Sequence, residues 1–389
     1  METPTSTVRL EFDAERNRLG DDKELRDSLS VAVHAGRNLF VASDETTTIE
    51  RLTTDDGGQT FRHHATYALA DFIKLPGKDD EEIDIEGLAA DGGYLWLVGS
   101  HSRKRKKPKT DSPDVEKQIE RLSTPRIETE GNRYTLARIP LARGQDGGDY
   151  ELSKFKQDFG GARASLTAAQ LPGRKDGNTL TDALRDDEHL GMFLPVPGKD
   201  NGFDIEGLAV AGNRVFLGLR GPVLRGWAVV LEIRVEQDDA DASRLELKKL
   251  ASGQPYRKHF LQLGGLGIRE LCLHGQDLIV MAGPTMELDG ITSVFLWPNA
   301  LDANSNSLVS DKQLLKLFDL PFPILEDEEN AGRDHAEGLT LFPSDNNPAA
   351  LLIVYDAPAK RRRRGAGAVE ADIFELTAEM LHDENQNGD

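Results

Sequence analysis

The sequence predicts an all-β protein built from repeated units, a β-propeller of five blades, with six blades as the alternative. Three observations support this prediction. The hexapeptide Asp-Ile-Glu-Gly-Leu-Ala occurs twice, at residues 84–89 and 204–209. Each copy is followed by a small turn and a short apolar run, as in Tyr94-Leu95-Trp96-Leu97-Val98. Looser copies of the same unit recur along the chain, and a repeat of this length indicates an array of equivalent modules.

The spacing of the repeated unit sets the number of modules. We align the units on the residues Ser30, Glu86, Glu206, Glu270 and Glu337. These positions are separated by 56, 120, 64 and 67 residues. A four-stranded propeller blade needs about 40–50 residues, so the spacings fit blades with long loops. The 120-residue gap is interpreted as one blade with helical insertions near residues 108–130 and 162–192.

One of these insertions has the pattern of a helix start. Ser112-Pro113-Asp114 offers an N-cap residue, a proline at the first helical position and an acidic first turn. Val115, Ile119 and Leu122 then share one helical face. Leu180, Ala183, Leu184 and Leu190 indicate a second inserted segment. We therefore expect helices in addition to the blade strands.

The two ends of the chain are predicted to complete one blade together. The last unit ends with a strand around Ile373 and Phe374 and offers no fourth strand after it. Residues 8–13 alternate apolar and polar side chains, as an exposed strand does. Pairing of this segment with Ile373 and Phe374 would close the ring and protect the sheet edges. We expect one domain over residues 1–382, followed by a disordered acidic tail at 383–389.

Composition narrows the class of protein. The chain has 47 basic and 67 acidic residues, a net charge of −20, which argues against nucleic acid as a partner. It contains no run of about 18 apolar residues, so a membrane partner is not expected. The single cysteine, Cys272, excludes an internal disulfide and fits a reducing compartment. These features predict a cytoplasmic protein.

The repeated hexapeptide and the segment Gly99-Ser100-His101-Ser102-Arg103-Lys104-Arg105-Lys106-Lys107 together carry a resemblance. The chain resembles, over nearly its whole length, the bacterial domain-of-unknown-function family numbered 3616. That family has no established activity, so the resemblance implies a fold and not a reaction. A shorter likeness, limited to the Glu-Gly-Leu-Ala strand start, links the chain to phytase-like and esterase-like propellers.

The glutamates of the repeat form the first group of candidate site residues. In a propeller, equivalent positions on the innermost strands meet at one mouth of the central channel. Glu86, Glu206, Glu270 and Glu337 are therefore predicted to form a ring, with Asp84 and Asp204 just before them. Converging carboxylates either keep protons or hold a cation, and oxygen ligands favour Ca²⁺ or Mg²⁺. In the alternative, these glutamates accept backbone N–H bonds from the next blade and are purely structural.

The residues that follow the second strand of each unit form a second group. Alignment of the apolar runs brings five residues to equivalent positions: Asp44, Ser100, Arg220, Gly283 and Asp356. Basic runs follow two of them, at His101 with residues 103–107 and at residues 360–364. With Arg103, Arg220 and Arg361, this rim is predicted to bind an anionic, phosphate-bearing small molecule or an acidic protein surface. Alternatively, the runs are solvated surface paired with the acidic stretches 79–82 and 326–329.

These groups lead to two functional hypotheses. In the first, the protein is a metal-dependent phosphoesterase or esterase. Glu86, Glu206, Glu270 and Glu337 hold a divalent cation, and Ser100, His101 and the arginines bind the anion. His335 assists proton transfer, because residues i and i+2 of a strand share a face and it lies two residues before Glu337. In the second hypothesis, the propeller is a non-catalytic scaffold that binds a protein or a ligand.

Overall fold

The computed structural model describes residues 1–20, 23–78, 81–105, 113–123, 126–143, 149–156, 165–286, 288–321, 334–342 and 349–381. The chain is mostly β, as the sequence predicts. Within these ranges, no helix has the length and apolar character needed to cross a bilayer.

Twenty strands build the main sheets of the described chain. In chain order they are β1 (Ser6–Glu11), β2 (Val31–Ala35), β3 (Asn38–Ala42), β4 (Thr48–Thr54), β5 (Thr60–Ala68), β6 (Ile85–Asp91), β7 (Tyr94–Gly99), β8 (Leu136–Arg143), β9 (Tyr150–Leu152), β10 (Asp204–Ala211), β11 (Arg214–Leu224), β12 (Trp227–Gln237), β13 (Tyr256–Gln262), β14 (Gly267–His274), β15 (Asp277–Gly283), β16 (Ser293–Trp297), β17 (Leu315–Asp319), β18 (His335–Leu341), β19 (Ala350–Asp356) and β20 (Ala368–Glu375).

These strands form antiparallel groups of four that follow one another around a ring. The groups are β2–β5, β6–β9, β10–β13, β14–β17, and β18–β20 with β1. The first strand of each group contacts the first strand of the next: β2 with β6, β6 with β10, β10 with β14, and β14 with β18. Strand β18 in turn contacts β2. The arrangement is propeller-like, with the repeated hexapeptide on innermost strands.

The N-terminal strand pairs with the C-terminal strand. All six residues of β1 face β20 in antiparallel register, from Ser6 opposite Ile373 to Glu11 opposite Ala368. The alternation in the sequence explains this position, because Val8 and Leu10 are buried while their neighbours are exposed. On its other edge β1 forms a short parallel pair with β5, at Arg9 and Leu10. The outermost strand of the last group therefore comes from the start of the chain.

Buried apolar side chains form five clusters, each between two neighbouring groups of strands. Strand β11 shows how one strand serves two clusters. Val215 and Leu217 pack towards the second group, whereas Phe216 packs towards the fourth. Successive side chains of a strand point to opposite faces, so a strand covered on both faces carries an unbroken apolar run. This explains the short apolar runs that the sequence repeats.

The inserted segments carry the helices. Helix α1 (Val115–Ser123) lies in the first predicted insertion, and Val115 and Ile119 are largely exposed on it. Helix α2 (Thr179–Leu184) lies in the second and is capped by Asn178, whose side chain accepts the N–H groups of Leu180 and Thr181. A last helix, α3 (Ala378–Leu381), follows β20. The predicted tail at 383–389 lies outside the described residues.

Short strands and 3₁₀ turns complete the architecture. The short strands are Arg18–Gly20, Lys23–Glu24, Lys104–Arg105, Ile127–Glu128, Phe155–Lys156, Leu166–Thr167, Ala169–Gln170, Gly173–Arg174, Gly177–Asn178, Leu245–Lys248, Ser307–Val309 and Arg363–Arg364. The 3₁₀ turns are Leu25–Asp27, Leu69–Asp71, Gly131–Tyr134, Gly191–Phe193, Gly198–Asp200, Ala300–Asp302, Asp311–Gln313 and Lys360–Arg362.

Candidate functional site

Each of the inner strands β6, β10, β14 and β18 has a β-bulge near its start. The pairing register with the next strand skips one residue in each case: Glu86, Glu206, Arg269 and Glu337. A bulged residue leaves the ladder, and its side chain is turned away from the regular pleat. Bulges next to binding sites often re-aim a side chain in this way. These four residues are therefore the structurally equivalent positions of the repeat.

The structure corrects the predicted alignment in β14. Arg269, and not Glu270, occupies the position of Glu86, Glu206 and Glu337. The correct register can be found from the apolar residues that flank the bulged position. In β6 these are Ile85 and Leu88, and in β14 they are Ile268 and Leu271. Aligning β14 on Glu270 instead shifts this strand by one residue. The ring is thus three glutamates and one arginine.

Glu270 instead joins two neighbouring inner strands. Its Oε1 accepts hydrogen bonds from the backbone N–H of Leu208, at 3.2 Å, and from that of Leu271, at 2.9 Å. The side chain is fully buried, and burial raises the pKa of Glu270 well above its usual value. The structural alternative considered for the repeated glutamates therefore describes this residue. Its predicted place in a metal-binding ring does not agree with these contacts.

The glycine after the bulge allows the inner strands to approach each other. A Cβ atom on Gly87 would lie 2.5 Å from Cβ of Leu208 in the neighbouring strand β10. A Cβ atom on Gly338 would lie 2.9 Å from the backbone nitrogen of Ala32 in β2. Only a residue without a side chain fits at such separations. The Glu-Gly pair of the repeat therefore combines a close strand contact with a re-aimed carboxyl group.

Glu206 is held between two arginines. Its Oε1 lies 2.5 Å from Nη1 of Arg220, and its Oε2 lies 3.2 Å from Nη1 of Arg269. The second terminal nitrogen of Arg220 donates to Asp204 at 2.6 Å. Burial raises the pKa of Glu206, and both guanidinium groups oppose that shift. Arg220, predicted to bind an external anion, is thus already engaged by two carboxylates of the chain.

Glu86 lies among other carboxyl groups without a cation of its own. Among the described residues it forms no hydrogen bond and no ion pair. Burial raises the pKa of Glu86 well above its usual value, and the negative charges of Asp84, Glu206, Glu337 and Asp44 raise it further. The charges of carboxyl groups from three inner strands and from Asp44 therefore act on one another.

Asp44 shows the same excess of negative charge. Burial raises the pKa of Asp44 to about 7, and the nearby Asp84 and Asp356 contribute to the shift. Asp84 itself is paired with Arg133, a contact that no sequence pattern indicates because the two residues are 49 positions apart. The carboxyl groups around the mouth thus outnumber the cations that neutralise them.

A cavity of about 400 Å³ opens beside the last two inner strands. Its lining is mainly polar and includes the charged groups Lys199, Arg220, Arg269, His335, Glu337 and Asp356. Apolar side chains also line it: Pro284, Met286, Leu288, Leu320 and Pro321. A concave site in which polar groups converge is a candidate small-molecule site.

The cavity contains two titratable groups, His335 and Glu337, whose neighbouring residues differ. Nε2 of His335 lies 3.4 Å from Oδ1 of Asp289, and its Nδ1 lies 3.9 Å from Oδ2 of Asp356. Glu337 lies 3.4 Å from Nη1 of Arg269. Burial, reinforced by the charge of Asp356, raises the pKa of Glu337 well above its usual value. The cavity therefore presents an imidazole next to carboxylates and a carboxyl group whose pKa is raised.

The residues predicted to bind an anion near Ser100 lie elsewhere. Ser100 is fully buried, with its Oγ 3.0 Å from Oγ of Ser102. His101 is buried between the carbonyl oxygen of Gly99, at 2.8 Å, and Nδ2 of Asn178, at 2.6 Å. Burial lowers the pKa of His101 to about 4, so the ring is neutral. Neither side chain lines the cavity: His101 contacts Asn178 of the second insertion, and the hydroxyl of Ser100 contacts Ser102 and Arg133.

The run at 360–364 is neutralised within the chain. Arg361 pairs with Asp334, and Arg362 lies 2.7 Å from Asp372. Arg363 lies 3.1 Å from Asp27, and Arg364 lies 2.7 Å from Glu370. These contacts agree with the alternative of internally paired surface; the predicted acidic stretch 326–329 lies outside the described residues. Arg361 is therefore committed to a carboxylate and not presented as a free anion-binding group.

The first basic run is paired in a similar way. Lys104 lies 2.7 Å from Glu82, a member of the acidic stretch 79–82. Arg105 lies 2.9 Å from Asp200, and Arg103 lies beside Tyr134. Lys106 and Lys107, like the acidic stretch 326–329, lie outside the described residues.

The four glutamates predicted to hold a metal ion differ in how far their carboxylate oxygens are engaged by other groups. Within the described ranges, no group of three or more His, Cys, Asp or Glu side chains is arranged to hold a metal ion. Of the four predicted ligands, Glu206 contacts two arginines and Glu270 contacts backbone N–H groups. Glu86 and Glu337 are the two whose oxygens remain less engaged.

Comparison with known proteins identifies a family model and distant structures. The model described as "Protein of unknown function (DUF3616)" matches residues 28–372. No curated protein matches the chain. Glutaminyl cyclase of Myxococcus xanthus is 9% identical, with 96% of this chain and 100% of that chain covered and a TM-score of 0.39. An exo-1,5-alpha-L-arabinanase from a bovine ruminal metagenomic library is 9% identical, with 93% and 94% covered and a TM-score of 0.36. We draw nothing about activity from likenesses at this level.

Proposed function

Since the chain belongs to the DUF3616 family, whose description names no activity, we propose a function from the site itself. The proposal is that the chain is a five-bladed β-propeller that hydrolyses an ester at one mouth of its ring. His335 acts as the general base and Glu337 as the general acid. The observation that carries the proposal is that both groups line one cavity, in which burial and the charge of Asp356 raise the pKa of Glu337.

The number of blades is supported by the contacts of the inner strands. Strands β2, β6, β10, β14 and β18 contact one another in order and return to β2. Each begins a group of four strands, with β1 as the fourth strand of the last group. The long stretch between β9 and β10 adds short strands and α2, and within its described part it adds no further inner strand. Five blades therefore account for the described sheets.

The division into acid and base follows from the two environments. Burial and the charge of Asp356 raise the pKa of Glu337, which suits this group to donate a proton, and two carboxylates lie beside the imidazole of His335. A neutral His335 can take a proton, and Asp356 and Asp289 stabilise the imidazolium that results. The protonated Glu337 can give its proton away. Arg269 lines the same cavity and carries the positive charge that a developing oxyanion requires.

The proposed reaction is the addition of water across an ester bond. His335 removes a proton from water, and the water oxygen bonds to the carbonyl carbon. The bond between that carbon and the leaving oxygen then breaks, and Glu337 donates its proton to the leaving oxygen. The products are a carboxylic acid and an alcohol. The proton on imidazolium then returns to Glu337 through solvent, which restores both groups.

The contacts of the site give less support to two expectations from the sequence, namely an anionic ligand and a divalent cation. Arg220, Arg269 and Arg361 are engaged by carboxylates of the chain, so a phosphate would have to compete for them. Glu86 and Glu337 remain as candidate ligands for Ca²⁺ or Mg²⁺, but the proposed steps do not require a metal. The experiment below therefore measures activity both without and with an added divalent cation.

The test is hydrolysis of ethyl butyrate by the full chain, followed as release of acid at constant pH, with EDTA and with added Ca²⁺ or Mg²⁺, because an alkoxide needs a proton in order to leave. We expect Glu337→Gln and His335→Asn each to lower kcat by about a hundredfold or more. Glu375→Gln, which replaces an exposed glutamate that does not line the cavity, is the matched control and should retain wild-type kcat.

Three outcomes discriminate between the hypotheses. Activity that survives EDTA and is lost in the two cavity variants supports the proposal. Loss of activity in EDTA with recovery in Ca²⁺ or Mg²⁺ would place a cation in the reaction. If the wild-type chain hydrolyses no ester under any of these conditions, the hydrolase proposal is wrong and the non-catalytic scaffold takes its place.

A further inference from the structure

The segment from Pro284 to Thr292, described except for residue 287, separates two cavities. The first is the 400 Å³ cavity that contains His335 and Glu337. The second is a groove of about 640 Å³ along the outer part of the third and fourth groups of strands. Pro284 and Gly290 line both of them. The two cavities are therefore neighbours across the width of a single loop.

The groove differs from the first cavity in chemistry. Its floor and sides are mainly apolar: Leu263, Leu266, Ile291, Phe295 and Leu314. Ile291 is 46% exposed although it is a large apolar residue. On the other side of the same loop, Leu288 is 58% exposed and faces the first cavity. Apolar surface in contact with water is unfavourable, and a ligand that covers it gains free energy.

Within the first cavity, His335 lies next to the loop formed by residues 284–292. Asp289, which lies 3.4 Å from His335, immediately precedes Gly290 of the shared wall. Arg269 also touches the loop, since its Nη2 donates to the carbonyl oxygen of Pro284 at 3.0 Å. Glu337 lies beside Arg269, and no described contact joins its side chain to the loop. In the proposed reaction we therefore place the leaving alcohol at Glu337, its proton donor, and the acyl group on the loop side.

We infer that the substrate is an ester with an apolar acyl chain, and that this chain crosses the loop at Pro284 and Gly290 to lie in the groove beside Ile291. This inference rests on the proposed hydrolase function. It adds the substrate class and assigns Ile291 as a residue that determines chain-length specificity. The occupant of the groove is the acyl chain itself, because the groove adjoins the cavity in which the ester bond is placed and shares Pro284 and Gly290 with it.

The experiment compares p-nitrophenyl acetate, butyrate, octanoate and dodecanoate as substrates. For the wild-type chain we expect kcat/KM for octanoate to exceed that for acetate by about tenfold or more, since each methylene in an apolar pocket contributes to binding the transition state. In Ile291→Asp and in the milder Ile291→Ser, this ratio should fall towards one. Met192→Asp, at an apolar side chain that is 71% exposed and lines neither cavity, should keep the wild-type ratio.

Failure of the inference and failure of the proposed function give different results. If acetate is hydrolysed but the ratio is near one in wild type, or is unchanged in both Ile291 variants, the acyl groove is wrong and the hydrolase stands. If no ester is hydrolysed, binding of dansyl-labelled undecanoic acid is measured by fluorescence. Weaker binding by Ile291→Asp than by wild type and Met192→Asp would then retain the groove as an apolar-chain site. Equal or absent binding would overturn it.

Discussion

Arg269 lies 3.2 Å from the carboxylate of Glu206 and occupies in β14 the same bulge position that Glu206 occupies in β10. The fourth group of strands thus supplies the positive charge that pairs with a glutamate of the third group. Without it, the inner strands would present carboxyl groups at every bulge described in β6, β10, β14 and β18. The replacement of one glutamate by arginine allows the remaining acidic groups to be held close together.

Arg269→Met should therefore destabilise the fold in a pH-dependent manner. Removing one partner of a buried ion pair leaves an uncompensated charge, and we expect the free energy of unfolding to fall by about 3 kcal/mol at neutral pH. The loss should be smaller at mildly acidic pH, because a protonated Glu206 needs no counter-charge. Urea unfolding at the two pH values measures the difference. Arg234→Met, at an exposed arginine paired with Glu236, is the control and should change stability by less than about 0.5 kcal/mol.

Asp44 is expected to make the fold less stable as pH rises. Its pKa is raised from the usual 3.8 to about 7 by burial and by the charges of Asp84, Asp356 and Glu45, against the opposing charge of Lys199. Between these two values the folded state binds more protons than the unfolded state, so stability falls as pH increases. Asp44→Asn cannot ionise. It should match wild type near pH 4 and exceed it by about 1 kcal/mol or more near pH 8. Thermal or urea unfolding across this range would contradict the assignment if the two proteins kept a constant difference.

Glu270 is expected to act through its hydrogen bonds and not through its charge. Glu270→Gln keeps an acceptor for the N–H groups of Leu208 and Leu271 and should cost about 1 kcal/mol or less. Glu270→Ala leaves both buried donors unpaired and creates a cavity, so we expect a loss of about 3 kcal/mol. Amide hydrogen exchange at Leu208 and Leu271 provides a local measurement. Faster exchange in the alanine variant alone is the expected result, whereas equal exchange in both variants would contradict it.

The run at 360–364 is expected to stabilise the fold rather than bind an external anion. Arg362 is buried, pairs with Asp372 at 2.7 and 2.8 Å, and stacks on Tyr355 with its guanidinium carbon 3.7 Å from the ring centroid. Arg362→Met should therefore lower the free energy of unfolding by about 3 kcal/mol. Arg364→Met, at a more exposed arginine paired with Glu370, should cost less than about 1 kcal/mol. A rise in melting temperature on adding phosphate that disappears in Arg364→Met would instead indicate anion binding by the run.

The strand that joins the chain ends provides a test of ring closure. Leu10 is fully buried between the first and last groups of strands. Leu10→Ala should cost about 3 kcal/mol, as other large-to-small substitutions in a core do. Arg9→Ala, at the exposed neighbouring position of the same strand, should change stability by less than about 0.5 kcal/mol. Urea unfolding measures both, and equal effects would contradict the alternating burial of β1.

The sequence by itself determined the features that depend on local pattern. Alternating and continuous apolar runs predicted the strands, the repeated hexapeptide predicted equivalent inner strands, and residues 8–13 predicted the pairing of β1 with β20. These features are accessible because strand periodicity and turn residues act over a few positions. The convergence of Glu86, Glu206 and Glu337 follows from the same repeat.

Only the tertiary structure decided which charges meet. Arg269 takes the bulge position because register in β14 is set by packing of Ile268 and Leu271, and not by the glutamate that the repeat appears to share. Asp84 is paired with Arg133, and Asp334 with Arg361, across long separations in the chain. Such contacts depend on how the modules are arranged around the ring, and an ion pair leaves no spacing in the sequence. The raised pKa of Glu337 likewise depends on burial and on the charges of Asp356, Glu206 and Asp44, which the fold brings to it from other parts of the chain.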